Sequence, residues 1–175
     1  MMMKKSWFAA LALCCTVLAA ASCTNDDNEV VVDEAWKEAN QVAFRNLSDD
    51  DAYREILSQG NNGSVYIKVL KEGNGTAPIY YNSVVKAYYT GSFINGTVFD
   101  SAEPPYDIPY ELSVNKMIEG WGVALPHMKA GDRWEIWIPY QLAYGAYGNA
   151  NQNTGVVSIP PYSTLKFEVE IVEII

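Results

Sequence analysis

The spacing of apolar and polar positions changes twice along this chain. Trp7 to Ala21 is an almost unbroken run of apolar and small residues behind Lys4 and Lys5. Beyond residue 32 the apolar positions recur with a helical period. Asp33 can cap a first helix whose Trp36, Ala39, Ala43, Phe44 and Leu47 fall near one face. Ser48 with Asp51 three residues later is a capping-box variant, and Asp49, Asp50 and Asp51 suit a positive helix N-terminus. Tyr53, Ile56 and Leu57 give that second predicted helix its apolar side. Gly60-Asn61-Asn62-Gly63 breaks the pattern and marks a boundary.

From Val65 the period becomes 2. Val65–Leu70 and Ser83–Thr90 read as strands, and Asn95-Gly96 between Phe93 and Val98 as a hairpin turn. Arg133–Ile138 alternates, with Trp134, Ile136 and Ile138 sharing a face. In Thr164–Ile175, Leu165, Phe167, Val169 and Ile171 point one way and Lys166, Glu168 and Glu170 the other, as in an antiparallel strand with one solvated face. One short helix interrupts the strands: Trp121, Ala124 and Leu125 fall at i, i+3 and i+4, and Pro126 and Gly131 stop its extension. The pattern predicts an α+β fold, an antiparallel sheet holding one short helix. A small helical region over 33–60 precedes it.

The initial apolar run is too short for a membrane span of about 20 residues and has the form of a secretory signal over residues 1–22. Ala20-Ala21-Ser22-Cys23 resembles a bacterial lipobox, with Ala20 where Leu is usual; lipidation of Cys23 would anchor the chain to a membrane. The alternative is ordinary cleavage that leaves a free Cys23. Residues 23–32 read as an acidic tether. Thr24–Glu29 resembles the export signal of surface lipoproteins of Bacteroides-like bacteria, and is equally readable as a solvated spacer. The expected location is the outer membrane, as an exported lipoprotein on the periplasmic face or cell surface.

Composition narrows the function. A chain of 175 residues with 49% hydrophobic and 19% charged residues is globular with a real core. Loss of Lys4 and Lys5 with the signal leaves 10 Lys and Arg against 21 Asp and Glu, a net charge of −11. That charge argues against nucleic acid as a partner. Cys14 and Cys15 leave with the signal, so a lipidated Cys23 leaves no thiol for a disulfide or for catalysis. His127, the single histidine, rules out His-based metal clusters and Ser-His relays and is expected in a surface turn. There is no Gly-rich phosphate loop and no Ser-centred nucleophile elbow. No metal or cofactor is expected. With 13% aromatic residues, the candidate site is an apolar aromatic pocket that works through shape.

Five blocks follow in order: Tyr88-Tyr89-Thr90-Gly91; Asn95-Gly96-Thr97-Val98-Phe99-Asp100-Ser101; Met117-Ile118-Glu119-Gly120-Trp121; Leu142-Ala143-Tyr144-Gly145; and Ile159 through Glu170. Together they resemble the FK506-binding-protein (FKBP) type of peptidyl-prolyl cis-trans isomerase over about residues 64 to 175. The resemblance implies a half-open antiparallel sheet wrapped around one short helix, and a pocket floored by Trp121. It implies walls of Tyr89, Phe99, Met117, Ile118, Tyr144, Ile159 and Phe167, with Tyr110 matching a further wall aromatic and Asp100 the one charged group. The implied substrates are proline-containing polypeptides. Trp121, Phe99, Tyr89 and Phe167 would hold the proline ring. The Ile118 N–H and the Tyr144 hydroxyl would anchor flanking carbonyls, and Asp100 would polarise a hydroxyl such as that of Tyr89.

The chemistry suits such a pocket. Amide resonance opposes rotation of a peptide bond by about 18–20 kcal/mol. The twisted amide has lost that resonance and part of its charge separation, so a dry aromatic site favours it over the planar amide that water solvates. Two features depart from the family pattern. The loop after Tyr144 is long and rich in Asn and Gly, with Ser158 where an apolar residue is common, and Pro104-Pro105 and Pro109 alter the opposite rim. Two functions remain open on sequence: an isomerase assisting the folding of exported or outer-membrane proteins, or an FKBP-fold chaperone or binding module with little turnover. The helices of 33–59 could dimerise the protein, contact clients, or simply pack on their own domain.

Overall fold

Asp33 starts the first helix as expected. Its Oδ1 accepts the Trp36 N–H at 3.0 Å and caps α1, Glu34–Arg45, which runs on into a 3-10 turn over Asn46–Asp49. The structure, a computed structural model, describes residues 32–105, 107–150 and 157–175. The expected signal, Cys23 and the tether up to residue 31 lie outside the described residues. Along α1, Trp36, Ala43 and Phe44 are half-buried and Leu47 buried, but Ala39 is exposed and the fully buried position is Asn40.

The predicted second helix does not form. After Asp50, residues Arg54–Leu57 make strand β1, paired antiparallel with β2, Ser64–Lys71, Ile56 lying opposite Val65. Spacing of i, i+3 and i+4 over so few residues fits a helix as well as a strand. The backbone partners offered by β2 decide it: Ile56 turns into the core and Leu57 out to solvent. The sheet therefore begins ahead of the Gly60–Gly63 boundary, and the helical region ends at Asp49 rather than Gly60.

The remaining elements, in chain order, are β3 (Val84–Phe93), β4 (Val98–Ala102), β5 (Tyr110–Ser113), α2 (Glu119–Ala124), β6 (Arg133–Ile138), β7 (Asn149–Ala150), β8 (Val157–Ile159) and β9 (Leu165–Ile174). The main sheet runs β1-β2-β6-β9-β3-β4, with β5 also on β3, and every pairing is antiparallel. The long loop after Tyr144 folds back on itself as the β7–β8 hairpin, where the exposed Ser158 donates to the Asn149 carbonyl at 3.1 Å. Its centre, 151–156, lies outside the described residues.

The core sits between the inner face of the sheet and α2. Trp134, Ile136 and Ile138 of β6 and Leu165, Phe167, Val169 and Ile171 of β9 are buried, as alternation predicts, and meet Trp121, Ala124 and Leu125. Burying each large side chain contributes about 1.5–3 kcal/mol. The helix lies so close that a Cβ on Gly120 would stand 2.3 Å from Ile138 Cγ2. Among the described residues no helix is long and apolar enough to cross a membrane.

α1 is not a free arm. The Trp36 ring lies edge-on to Phe93 and the Phe44 ring edge-on to Tyr66, with centroids 5.7 and 5.2 Å apart. Asn40 Oδ1 accepts the Thr164 N–H at 2.8 Å, and Thr164 Oγ1 donates to the Asn40 carbonyl at 3.1 Å. Burying Asn40 is affordable because those bonds, with Nδ2 donating to the Trp36 carbonyl at 2.8 Å, satisfy its amide. Trp36 and Phe44 are thus shielded by their own domain.

Candidate active site

Four elements converge on one hollow. β3 and β9 run side by side with Gly91 opposite Phe167, and β4 lies on the other edge of β3 with Asp100 opposite Gly91. A Cβ at Gly91 would come within 2.7 Å of both Phe167 Cε1 and Phe99 Cζ. Only a glycine lets those two rings close at right angles, with centroids 5.7 Å apart. α2 supplies the floor. Trp121 is buried and boxed edge-on by Phe167 at 5.3 Å and by Tyr89 at 5.6 Å. Its Nε1–H finds no acceptor among the described residues.

The result is a cavity of about 310 Å³ lined by Tyr89, Phe99, Asp100, Lys116, Met117, Ile118, Trp121, Tyr144 and Phe167. That volume falls in the range of sites that enclose small ligands, and it accommodates a proline ring with flanking peptide groups. Size alone does not single it out. A 370 Å³ hollow borders α2 at Glu119, Gly122 and Val123, beside Tyr80 and Tyr81, and a 510 Å³ trough lies by Ile108 and Tyr110. Neither gathers buried rings around a polar group.

The polar groups are few and specific. Tyr89 Oη donates to Asp100 Oδ2 at 2.8 Å. Burial, and then the hydrogen bond it donates to the Asp100 carboxylate, push the Tyr89 phenol well above the ordinary tyrosine range. Burial followed by the nearby Asp100 charge also raises the Tyr144 phenol. Both hydroxyls therefore remain donors at neutral pH. At the N-cap of α2 the Ile118 carbonyl accepts the Trp121 N–H at 3.0 Å, while nothing among the described residues accepts from the Ile118 N–H. No three His, Cys, Asp or Glu side chains among the described residues gather as a metal-binding group.

Eight of the ten expected pocket residues line this cavity. Tyr110 does not; it is half-exposed on β5 and packs edge-on behind Tyr89, centroids 6.0 Å apart. Ile159 does not either, because β8 turns it into the core, where it is 4% exposed. The sequence reading missed Lys116, in a 3-10 turn that no local signal marks as a rim, and the role of Gly91. Glu119, at the exposed start of α2, accepts from Asn62 Nδ2 at 2.7 Å and Ser58 Oγ at 3.2 Å, tying the 58–63 turn to that helix. His127 lies exposed in a 3-10 turn, as expected.

Comparison with known proteins agrees with this geometry. Residues 76–172 match the family described as FKBP-type peptidyl-prolyl cis-trans isomerase. The FKBP-type 22 kDa peptidyl-prolyl cis-trans isomerase of Escherichia coli (strain K12) is 40% identical over 127 residues, 73% of this chain and 57% of that protein. The outer membrane protein MIP of Legionella longbeachae is 32% identical over 143 residues, 78% of this chain and 58% of that protein. This chain thus spans a little over half the length of these two curated relatives. The crystal structure of a peptidyl-prolyl cis-trans isomerase from Pseudomonas syringae pv. tomato superposes with a TM-score of 0.67 at 26% identity, over 82% of this chain and 96% of that one. With the fold, the ordered motifs and the aromatic cavity in agreement, the chain belongs to the FKBP-type peptidyl-prolyl cis-trans isomerase family.

Proposed function

We propose that this protein accelerates rotation about X-Pro bonds in polypeptides by binding the twisted amide in the cavity above Trp121. The observation that carries this reading is a half-enclosed box of Tyr89, Phe99, Trp121 and Phe167 with two donors among its lining residues, the Ile118 N–H and the Tyr144 hydroxyl, for which no acceptor is found among the described residues. The rings take the proline in place of water. The donors hold the flanking carbonyls, so that one side of the bond is fixed while the other turns. Asp100 keeps the Tyr89 hydroxyl in one orientation and gives the wall a negative pole facing the rotating carbonyl carbon. No covalent bond forms or breaks, and a millionfold acceleration requires only about 8 kcal/mol of preferential binding to the twisted state.

The test is isomerisation of short X-Pro peptides by the full chain and two variants. Tyr144→Phe removes one hydrogen bond worth about 0.5–1.5 kcal/mol, a loss of up to about tenfold in kcat/KM. Asp100→Ala removes a charge-assisted bond of about 1.5–3 kcal/mol and should lose about ten- to a hundredfold. A folded wild-type protein with no acceleration across several X residues would sink the enzyme reading in favour of a chaperone or binding module.

The outer-membrane name of the Legionella relative and the lipobox-like run to Cys23 support an envelope location, with the domain held to a membrane by lipid on Cys23. Incorporation of labelled palmitate in a bacterial host should disappear in Cys23→Ala. Unchanged labelling of that variant would remove the anchor.

A further inference from the structure

α1 touches the domain behind both sides of the cavity without lining it. On one side Trp36 stands edge-on to Phe93, Phe93 lies 4.9 Å from Phe99, and Phe99 packs on Phe167. Rings at such separations touch, so Trp36 backs the Phe99 wall through a single intermediate. The other route runs through the turn before β9. Trp36 Nε1–H donates to Ser163 Oγ at 3.1 Å, Lys37 Nζ lies 4.8 Å from the Tyr162 ring centre, and Asn40 grips the Thr164 N–H. Three consecutive residues are therefore held by one face of α1.

Within that turn Tyr162 has φ of 58°, a conformation that a bulky residue keeps only where its surroundings over-determine it. Its ring packs edge-on against Tyr140 at 4.9 Å, and its N–H donates to the Gly145 carbonyl at 3.1 Å. The Gly145 N–H donates in turn to the Tyr140 carbonyl at 2.8 Å. Gly145 directly follows Tyr144, so the turn gripped by α1 fixes the backbone that carries the Tyr144 hydroxyl.

We propose that α1 is a positioning element of the candidate active site, with Trp36 the residue that sets both the Phe99 wall and, through the 162–164 turn, the place of Tyr144. α1 lies ahead of the residues that match the family, 76–172, and reaches the cavity through Phe93 and that turn. The inference deepens the isomerase reading and rests on it for its kinetic consequence.

The test compares Trp36→Ala, Trp36→Phe and Leu47→Ala in the full chain. Leu47 is buried at the end of the same helical segment but is outside the aromatic chain, so it controls for stability. Trp36→Ala should lower kcat about tenfold with KM little changed. Trp36→Phe, which keeps the ring edge, should stay within about twofold of wild type, and Leu47→Ala should match wild type at temperatures where it is folded. The NMR signals of the Tyr144 and Phe99 rings should move in Trp36→Ala and stay put in Leu47→Ala. A folded Trp36→Ala with wild-type kcat and unmoved signals would overturn the proposal, as would Leu47→Ala reproducing both changes. Should Trp36→Ala not fold, Trp36→Leu retains apolar bulk without the ring edge and answers the same question. If the wild type itself shows no turnover, the isomerase reading fails, and the NMR comparison alone still decides whether α1 positions the cavity.

Discussion

Trp121→Ala should lower the stability of the protein by about 3–5 kcal/mol and abolish measurable isomerase turnover. The side chain is 1% exposed and shares edges with Tyr89 and Phe167, so its removal leaves a void that neither ring can fill without leaving the cavity wall. A loss of that size is a large part of the about 5–15 kcal/mol that holds a typical domain together. Stability and activity are separable with Trp121→Leu, which restores part of the lost volume. It should regain much of the denaturant midpoint while the flat floor of the cavity, and with it most of kcat/KM, stays lost. Urea unfolding followed by fluorescence, beside peptide isomerisation, measures both. Retained turnover in a stable Trp121→Leu would show that the floor contributes volume alone and not the shape proposed for it.

The second large effect lies at Asp132, which does not line the cavity. The 72–76 segment crosses the turn before β6 so closely that a Cβ on Gly73 would stand 2.3 Å from the Ala130 carbonyl. Asp132, 1% exposed, staples the two together. It accepts the Gly73 N–H at 2.6 Å, the Lys129 N–H at 2.8 Å and Lys129 Nζ at 2.9 Å. Burial alone would raise this carboxyl, but the Gly73 and Lys129 hydrogen bonds outweigh it and hold the group below the usual aspartate value. Asp132→Ala strands two backbone donors at about 1–3 kcal/mol each, an expected loss of about 2–5 kcal/mol at pH 7.

The pH dependence has a definite sign. A carboxyl depressed in the folded state stabilises fully above its unfolded value of about 3.9, and that stabilisation fades as pH falls through the lower folded value. The gap between wild type and Asp132→Ala should therefore be complete at pH 7 and close below about pH 4. Chemical unfolding of both proteins across that window measures it. A gap independent of pH would mean that the contribution of Asp132 is steric.

Much of the site could be read before the fold was known, because the motifs that carry it are local. Asn95-Gly96 turns β3 into β4 and so brings Phe99 and Asp100 back beside Tyr89, within one hairpin. Met117, Ile118 and Trp121 share the approach to one short helix. Tyr110 and Ile159 lie outside the cavity because whether a side chain faces the cavity, the core or solvent depends on how far β5 and β8 are rotated against their neighbours. No local pattern reports that rotation.

By itself the sequence determined the strands with a long alternation, β6 and β9, the short helix α2, and the ordered blocks that mark the family. In these cases the signal spans enough residues for a period of 2 or 3.6 to be distinguished. The tertiary structure decided what depends on a distant partner. Arg54–Leu57 became a strand because β2 offered it a ladder. Asn40 became the buried residue of α1 because Thr164, 124 positions away, satisfies its amide. Gly91 became part of the cavity because two rings from β4 and β9 close over it. Hydrogen-bond satisfaction and close packing depend on pairs of residues, and the second member of each pair is brought near only by folding.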